Sequence, residues 1–260
     1  MHVILCQTGI AWEDRGMNAE LVREQIGGVS VEVGDLVVLP EMFASGFTMD
    51  VGAAAEEVGG ESERFLADLA EETGACVVAG VVTAGAGGRG RNECVAVAPG
   101  GQTLCRYRKL HPFSYSGEAD YYEAGESVEV FDWGGFVVCP TICYDLRFPE
   151  LYRAGVDLGA DLFTVIANWP APRHEHWRTL ARARAIENQA YVVAVNRAGD
   201  DPHHHYKGGS MVVAPTGDIL AEAGEDPEAL VVRLDPASVA AWREEFPALR
   251  DRRPPNSIRQ

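Results

Sequence analysis

Apolar residues in this chain come in short, recurring runs rather than long blocks. Runs with strand character span 2–7, 35–40, 75–83, 93–98, 103–108, 136–142, 161–167, 191–196, 209–214 and 229–234. Those at 36–39, 76–82 and 136–142 are nearly all apolar, the pattern of strands covered on both faces. Helical spacing separates several of these runs. Ser62 is placed to cap a helix carrying Phe65, Leu66 and Leu69 on one face, and Gly74 to end it. Residues 174–190 carry Trp177, Leu180, Ala181 and Ile186 as a second stripe, and Met17 to Ile26 carry Leu21, Val22 and Ile26 as a third. Helices alternate with strands early and hairpin-like pairs follow in the middle, which predicts an α/β fold of sheet layers covered by helices. One domain over 1–260 accommodates the whole pattern. The stretch 250–255 is irregular and is expected to pack on the surface or on a partner subunit.

Charge narrows the classes of partner. A formal net charge of −17 argues against nucleic acid or an anionic membrane surface. No apolar run approaches the ~20 residues that a membrane-spanning helix needs. Met1 to Cys6 reads as a first strand, without the basic start and cleavage site of a signal peptide. The six cysteines lack paired spacing, and Cys6, Cys76, Cys94, Cys105 and Cys139 lie inside strand-like runs as core residues. A reduced, cytoplasmic protein is the expectation.

Three polar residues end apolar strands. Cys143 follows Phe136–Ile142, Glu41 follows Leu36–Pro40, and Lys109 follows Thr103–Arg108. A thiol at such a point is held rigidly from below and open from above. The thiolate is the effective nucleophile, so a base must take the proton. Glu41 is the candidate, with a pKa expected to rise towards neutrality at a partly buried strand end. Lys109 and the backbone N–H of Tyr144 could stabilise an oxyanion, and Glu118 could orient the lysine or a water. Taken singly, each has a plainer role as a core thiol or a surface charge.

Together the segments Leu39-Pro40-Glu41, Tyr107-Arg108-Lys109-Leu110-His111 and Ile142-Cys143-Tyr144-Asp145-Leu146-Arg147-Phe148-Pro149-Glu150 resemble the signature segments of the nitrilase superfamily of carbon–nitrogen hydrolases. Order and spacing agree, from the first strand to about residue 250. Glu41-Met42-Phe43-Ala44-Ser45-Gly46-Phe47 and Ala167-Asn168-Trp169-Pro170-Ala171-Pro172-Arg173 are most similar to the ω-amidase and related bacterial branch. The resemblance implies a four-layer αββα sandwich that usually forms a homodimer. It also implies Glu41 as general base, Lys109 as oxyanion stabiliser, Cys143 as nucleophile and Glu118 as supporting carboxylate, with no metal or organic cofactor.

The implied substrate is a short dicarboxylate monoamide such as 2-oxoglutaramate or succinamate. Its free carboxylate requires a cation, for which Arg173 is the first choice. Arg147 is a second, with a structural ion pair to Glu150 or Asp145 as the alternative. Phe43, Phe47, Tyr115 and Trp169 could wall the pocket. Another amidase specificity (deaminated glutathione, aliphatic amides or N-carbamoyl compounds) is the nearest rival.

Two other motifs carry less. Gly85 to Gly90 fits G-x-G-x-x-G, but a strand follows it, so a hairpin loop is expected. His203-His204-His205 with His174 and His176 invites a metal site, yet no paired ligand pattern accompanies them and a solvated loop is expected. A metal-binding protein and a non-catalytic scaffold are the rivals of another class.

Overall fold

A computed structural model describes residues 1–253 of the chain. Its strands are β1 (His2–Gln7), β2 (Leu36–Val38), β3 (Cys76–Ala84), β4 (Gly90–Val97), β5 (Thr103–Arg108), β6 (Phe131–Trp133), β7 (Phe136–Ile142), β8 (Leu162–Ala167), β9 (Tyr191–Asn196), β10 (Ala198–Asp200), β11 (His205–Lys207), β12 (Met211–Val213), β13 (Ile219–Glu222) and β14 (Glu228–Arg233). Its α-helices are α1 (Arg15–Gly27), α2 (Val51–Ala54), α3 (Glu61–Thr73), α4 (Glu118–Tyr121), α5 (Pro149–Asp157), α6 (His174–Asn188) and α7 (Pro236–Glu245). The strands build two six-stranded sheets, ordered β14-β1-β2-β3-β4-β5 and β13-β12-β9-β8-β7-β6, while β10 and β11 form a separate hairpin.

Alternation along the strands decides the layers. Register aligns Val3, Leu36 and Cys76 in a row across β1, β2 and β3, and Leu5, Val38 and Val78 in the next. These residues pack against Val138, Ile142, Leu162 and Val193 on the facing side of the second sheet. Their neighbours Ile4, Val37 and Val77 turn the other way, onto Val22 and Ile26 of α1 and Leu66, Leu69 and Ala70 of α3. Tyr152 of α5 and Trp177, Ala181 and Ala185 of α6 cover the outer face of the second sheet. The result is the helix–sheet–sheet–helix sandwich that the sequence implied.

Strand direction gathers the site. β1, β2 and β3 run parallel, as do β7, β8 and β9. Successive antiparallel pairings make β5 run the same way as β3. The C-terminal ends of β2 and β5, and the start of β4, therefore share one edge of the first sheet. The ends of β7 and β8 share an edge of the second.

Several local expectations need correction. Ser62 is not the N-cap of α3: that position is Gly60, and the Glu56 carboxylate accepts from the N–H groups of Glu61 (2.7 Å) and Ser62 (3.2 Å) instead. Gly74 does end α3, in the left-handed region at φ 67°. α1 begins at Arg15, capped by Asp14. Ile186 lies half exposed, and Ala185 and Asn188 take the buried positions near it. Ala248–Asp251 form a short 3-10 turn and Arg252 pairs with Asp157, whereas Pro254 and Pro255 lie outside the described residues. Gly85 to Gly90 is a hairpin connection between β3 and β4.

Candidate active site

Glu41, Lys109, Glu118 and Cys143 meet where the two sheet edges face each other. All four are buried, the three charged side chains at 1% exposure or less. Lys109 Nζ donates to Glu41 Oε1 at 2.8 Å and to Glu118 Oε2 and Oε1 at 2.8 and 3.0 Å. Its backbone is tied by N–H to Asn92 O at 2.9 Å. Glu41 Oε2 accepts from the N–H of Asn168, just beyond β8, at 2.8 Å, and Asn168 Nδ2 donates back to Glu41 O at 2.7 Å. Glu118, at the start of α4, also accepts from the Phe113 N–H.

Close backbone approach makes room for Glu41. A Cβ on Gly80 of β3 would lie 2.5 Å from both Glu41 Cα and Met42 N. Phe43 N donates to Gly80 O at 3.0 Å, which closes the turn, and Met42 takes a positive φ of 46° inside it. Cys143 also has φ 46°, at the break from β7 into the 3-10 turn Cys143–Arg147. A non-glycine residue is held in that region only where its surroundings over-determine it. Asp145 supplies much of that constraint. Fully buried, it accepts from Ile142 N–H (3.1 Å), Tyr107 Oη (2.7 Å) and His111 N–H (3.0 Å), and its Oδ1 meets His111 Nδ1 at 2.8 Å.

Electrostatics separate the two carboxylates. Burial pushes Glu41 up, but the Lys109 charge and the hydrogen bonds from Lys109, Asn92 and Asn168 outweigh it. Glu41 thus titrates below the ordinary carboxylate range, against the expected rise. The expectation considered burial and omitted the cation in contact. Burial raises Glu118, and the neighbouring Glu41 charge adds to this despite Lys109. Lys109 is disfavoured by burial but held charged by Glu118 and Glu41, with its pKa raised. Burial and then the Glu41 charge push the Cys143 thiol well up. At neutral pH the resting pair is therefore a thiol beside a carboxylate. Such a pair can pass a proton only as the sulfur attacks an electrophile.

Cys143 opens on a small pocket walled by Phe47, Phe113, Tyr144, Arg147, Trp169 and Arg173 among others. The Arg147 guanidinium lies 4.7 Å from the Trp169 ring and the Arg173 guanidinium 5.4 Å from the Phe113 ring. Among the described residues neither arginine has a carboxylate within 4.0 Å, so the alternative ion pair of Arg147 with Asp145 or Glu150 does not form. His176 Nδ1 meets Arg147 instead, at 3.3 Å. Trp169 is anchored by its Nε1 donating to Arg173 O at 2.8 Å. Tyr144 N–H belongs to the first turn of a 3-10 helix, where N–H groups have no acceptor within the helix.

Two aromatic expectations move. Tyr115 is 86% exposed and lines a second, outer cavity beside Trp12 and His203, not the wall against Cys143. Phe43 is buried against Phe65 in the helix-side core. His204 is exposed but stands at the rim of the Cys143 pocket, nearer the site than a purely solvated loop would suggest. Sequence reasoning also passed over Asn92 and Asn168 as contacts of Glu41, and Asp145 as the anchor of the cysteine turn. Asn168 and Asp145 stood inside recognised segments, whereas Asn92 carried no local signal.

A crevice of thiol, carboxylate and lysine between two facing sheets marks a hydrolase class, and sequence comparison agrees. The chain belongs to the carbon–nitrogen hydrolase family, whose profile matches residues 3–244. It is 39% identical to the omega-amidase YafV of Yersinia enterocolitica, over 96% of each chain. It is 34% identical to the 2-oxoglutaramate amidase of Bacillus subtilis, over 84% of each. XC1258 of Xanthomonas campestris, a CN-hydrolase superfamily protein solved with an arsenic adduct in its active site, superposes with a TM-score of 0.92 at 32% identity, covering 98% of this chain and 97% of that one. The protein is an amidase acting on a small-molecule amide. No helix among the described residues is long and apolar enough to cross a membrane.

Proposed function

We propose that this amidase uses Cys143 as nucleophile to hydrolyse the terminal amide of a small carboxylate-bearing substrate, such as 2-oxoglutaramate or succinamate. The observation that carries this reading is the pair Arg147 and Arg173, without acidic partners among the described residues, in the pocket onto which Cys143 opens. Both arginines are half-buried, and the planar guanidinium fork recognises a carboxylate well. The names of the Yersinia and Bacillus relatives point the same way.

In this reaction the Cys143 sulfur attacks the amide carbon while its proton passes to Glu41. The oxyanion is met by Lys109 and the Tyr144 N–H. Glu41 returns the proton to the nitrogen, the C–N bond breaks, ammonia leaves and a thioester remains. Water then attacks the thioester, giving a proton to Glu41. The C–S bond breaks, the thiol regains its proton and the acid departs. Glu118 keeps Lys109 in place throughout. A cytoplasmic homodimer is the setting this reading implies.

Ammonia release from succinamate, 2-oxoglutaramate, glutamine, asparagine, propionamide and an N-carbamoyl amino acid tests the proposal. Release is expected from the first two and abolished by Cys143→Ala. Arg173→Met should raise KM for succinamate at least tenfold and leave any propionamide turnover unchanged. Equal preference for propionamide or the carbamoyl compound would overturn the carboxylate assignment.

A further inference from the structure

We propose that Asn92 is a positioning residue of the amidase reaction, its side-chain nitrogen binding Glu41 and Glu118 together so that Glu41 is the carboxylate that receives the Cys143 proton. This rests on the thiol–carboxylate chemistry proposed above. Asn92 Nδ2 lies 2.7 Å from Glu41 Oε1 and 2.9 Å from Glu118 Oε1. The same two oxygens accept from Lys109 Nζ. One ammonium and one amide thus form two bridges between two buried acids, and each amide hydrogen has its own carboxylate.

The amide orientation is forced by chemistry. Turned over, Asn92 would present its carbonyl oxygen to two carboxylates, which only accept. In the observed orientation Oδ1 is buried without a partner, a cost accepted to keep both hydrogens on the acids. The side chain is 1% exposed. Its backbone has a separate task, since Asn92 O receives the Lys109 N–H. A side-chain substitution therefore alters the bridge and leaves that backbone link in place.

The groups around Glu41 show what the bridge adjusts. Lys109 faces it from the end of β5, Glu118 from α4, Cys143 from the end of β7 and the neutral Asn168 from the end of β8. The Tyr122 hydroxyl, which donates to Thr48 O, is a further titratable group near both acids. Lys109 must serve two carboxylates, and the amide adds a second donor on Glu41 Oε1, beside the Asn168 N–H on Oε2, that helps Glu41 stay ionised beside Glu118.

Removing a donor from an ionised carboxylate raises its pKa, so loss of the amide should move the acid limb of activity upward. Wild type, Asn92→Ala and Asn92→Ser are compared by two readouts across pH 4–8. One is alkylation of Cys143 by iodoacetamide, followed on the Cys143 peptide by mass spectrometry, and the other is kcat/KM for succinamate. The acid limb should rise by about one pH unit in the alanine variant, a tenfold rate loss at a fixed pH on that limb. KM should change less than kcat. Should Asn92→Ala not fold, Asn92→Ser tests the bridge with a smaller expected shift, because its one hydroxyl hydrogen can serve at most one of the two acids. Unshifted limbs in a folded variant would overturn the proposal. A shifted alkylation profile in a protein inactive on succinamate would support it while removing the substrate assignment, so the two failures are distinguishable.

Discussion

Gly80 shows how much of the site depends on a missing methyl group. Glu41 leaves β2 into a turn whose backbone passes so close to β3 that a Cβ there would overlap main-chain atoms at 2.5 Å. Backbone cannot yield as a flexible side chain can. Gly80→Ala should therefore displace Glu41 from Lys109, costing about 1–3 kcal/mol of stability. Activity should fall further than stability explains if Glu41 is the base proposed above, because a misplacement of about 1 Å can cost about a hundredfold in rate. Urea unfolding and ammonia release on the same preparation measure the two effects. The sequence made Glu41, Lys109, Glu118 and Cys143 legible at this scale, through their segments. Asn92 was not legible, because an asparagine in a hairpin strand acquires its role only from two acids 51 and 26 residues away.

Among the elements, the 3-10 turn after β7 holds the thiol in an uncommon backbone conformation, and Asp145 ties that turn to the segment after β5. Asp145→Ala would strand the N–H groups of Ile142 and His111 and the Tyr107 hydroxyl. Each unsatisfied buried donor costs about 1–3 kcal/mol, so a loss of about 3 kcal/mol or more is expected. Asp145→Asn should not restore it, since an amide N–H₂ would face donors. Thermal melting together with iodoacetamide reactivity of Cys143 checks this, and wild-type stability in either variant would refute it. Element legibility followed the length of the apolar pattern. β3 and β7, with nearly unbroken apolar runs, were expected closely. α7 buries a single residue, Val239, and β6, β10 and β11 have three residues each, too few to show a period.

Across the whole molecule, a charge of −17 surrounds a pocket that holds two arginines free of acidic partners among the described residues. Long-range repulsion should slow the approach of an anionic amide at low salt, when the Debye length is about 30 Å at 0.01 M, against about 8 Å at 0.15 M. Between those concentrations kcat/KM for succinamate should rise about twofold or more, while that for propionamide stays level. A fall for succinamate would mean that the local cations dominate its approach. By itself the sequence determined the layered α/β class, the family segments and the identities of the base, lysine and thiol candidates, because these depend on local periodicity and short-range motif order. Only the tertiary structure decided the lowered pKa of Glu41, the Asn92 bridge, the separation of Tyr115 from the inner pocket and the freedom of Arg147 from Asp145. Each of those depends on which groups the folded chain brings into contact, across separations along the sequence that no local pattern records.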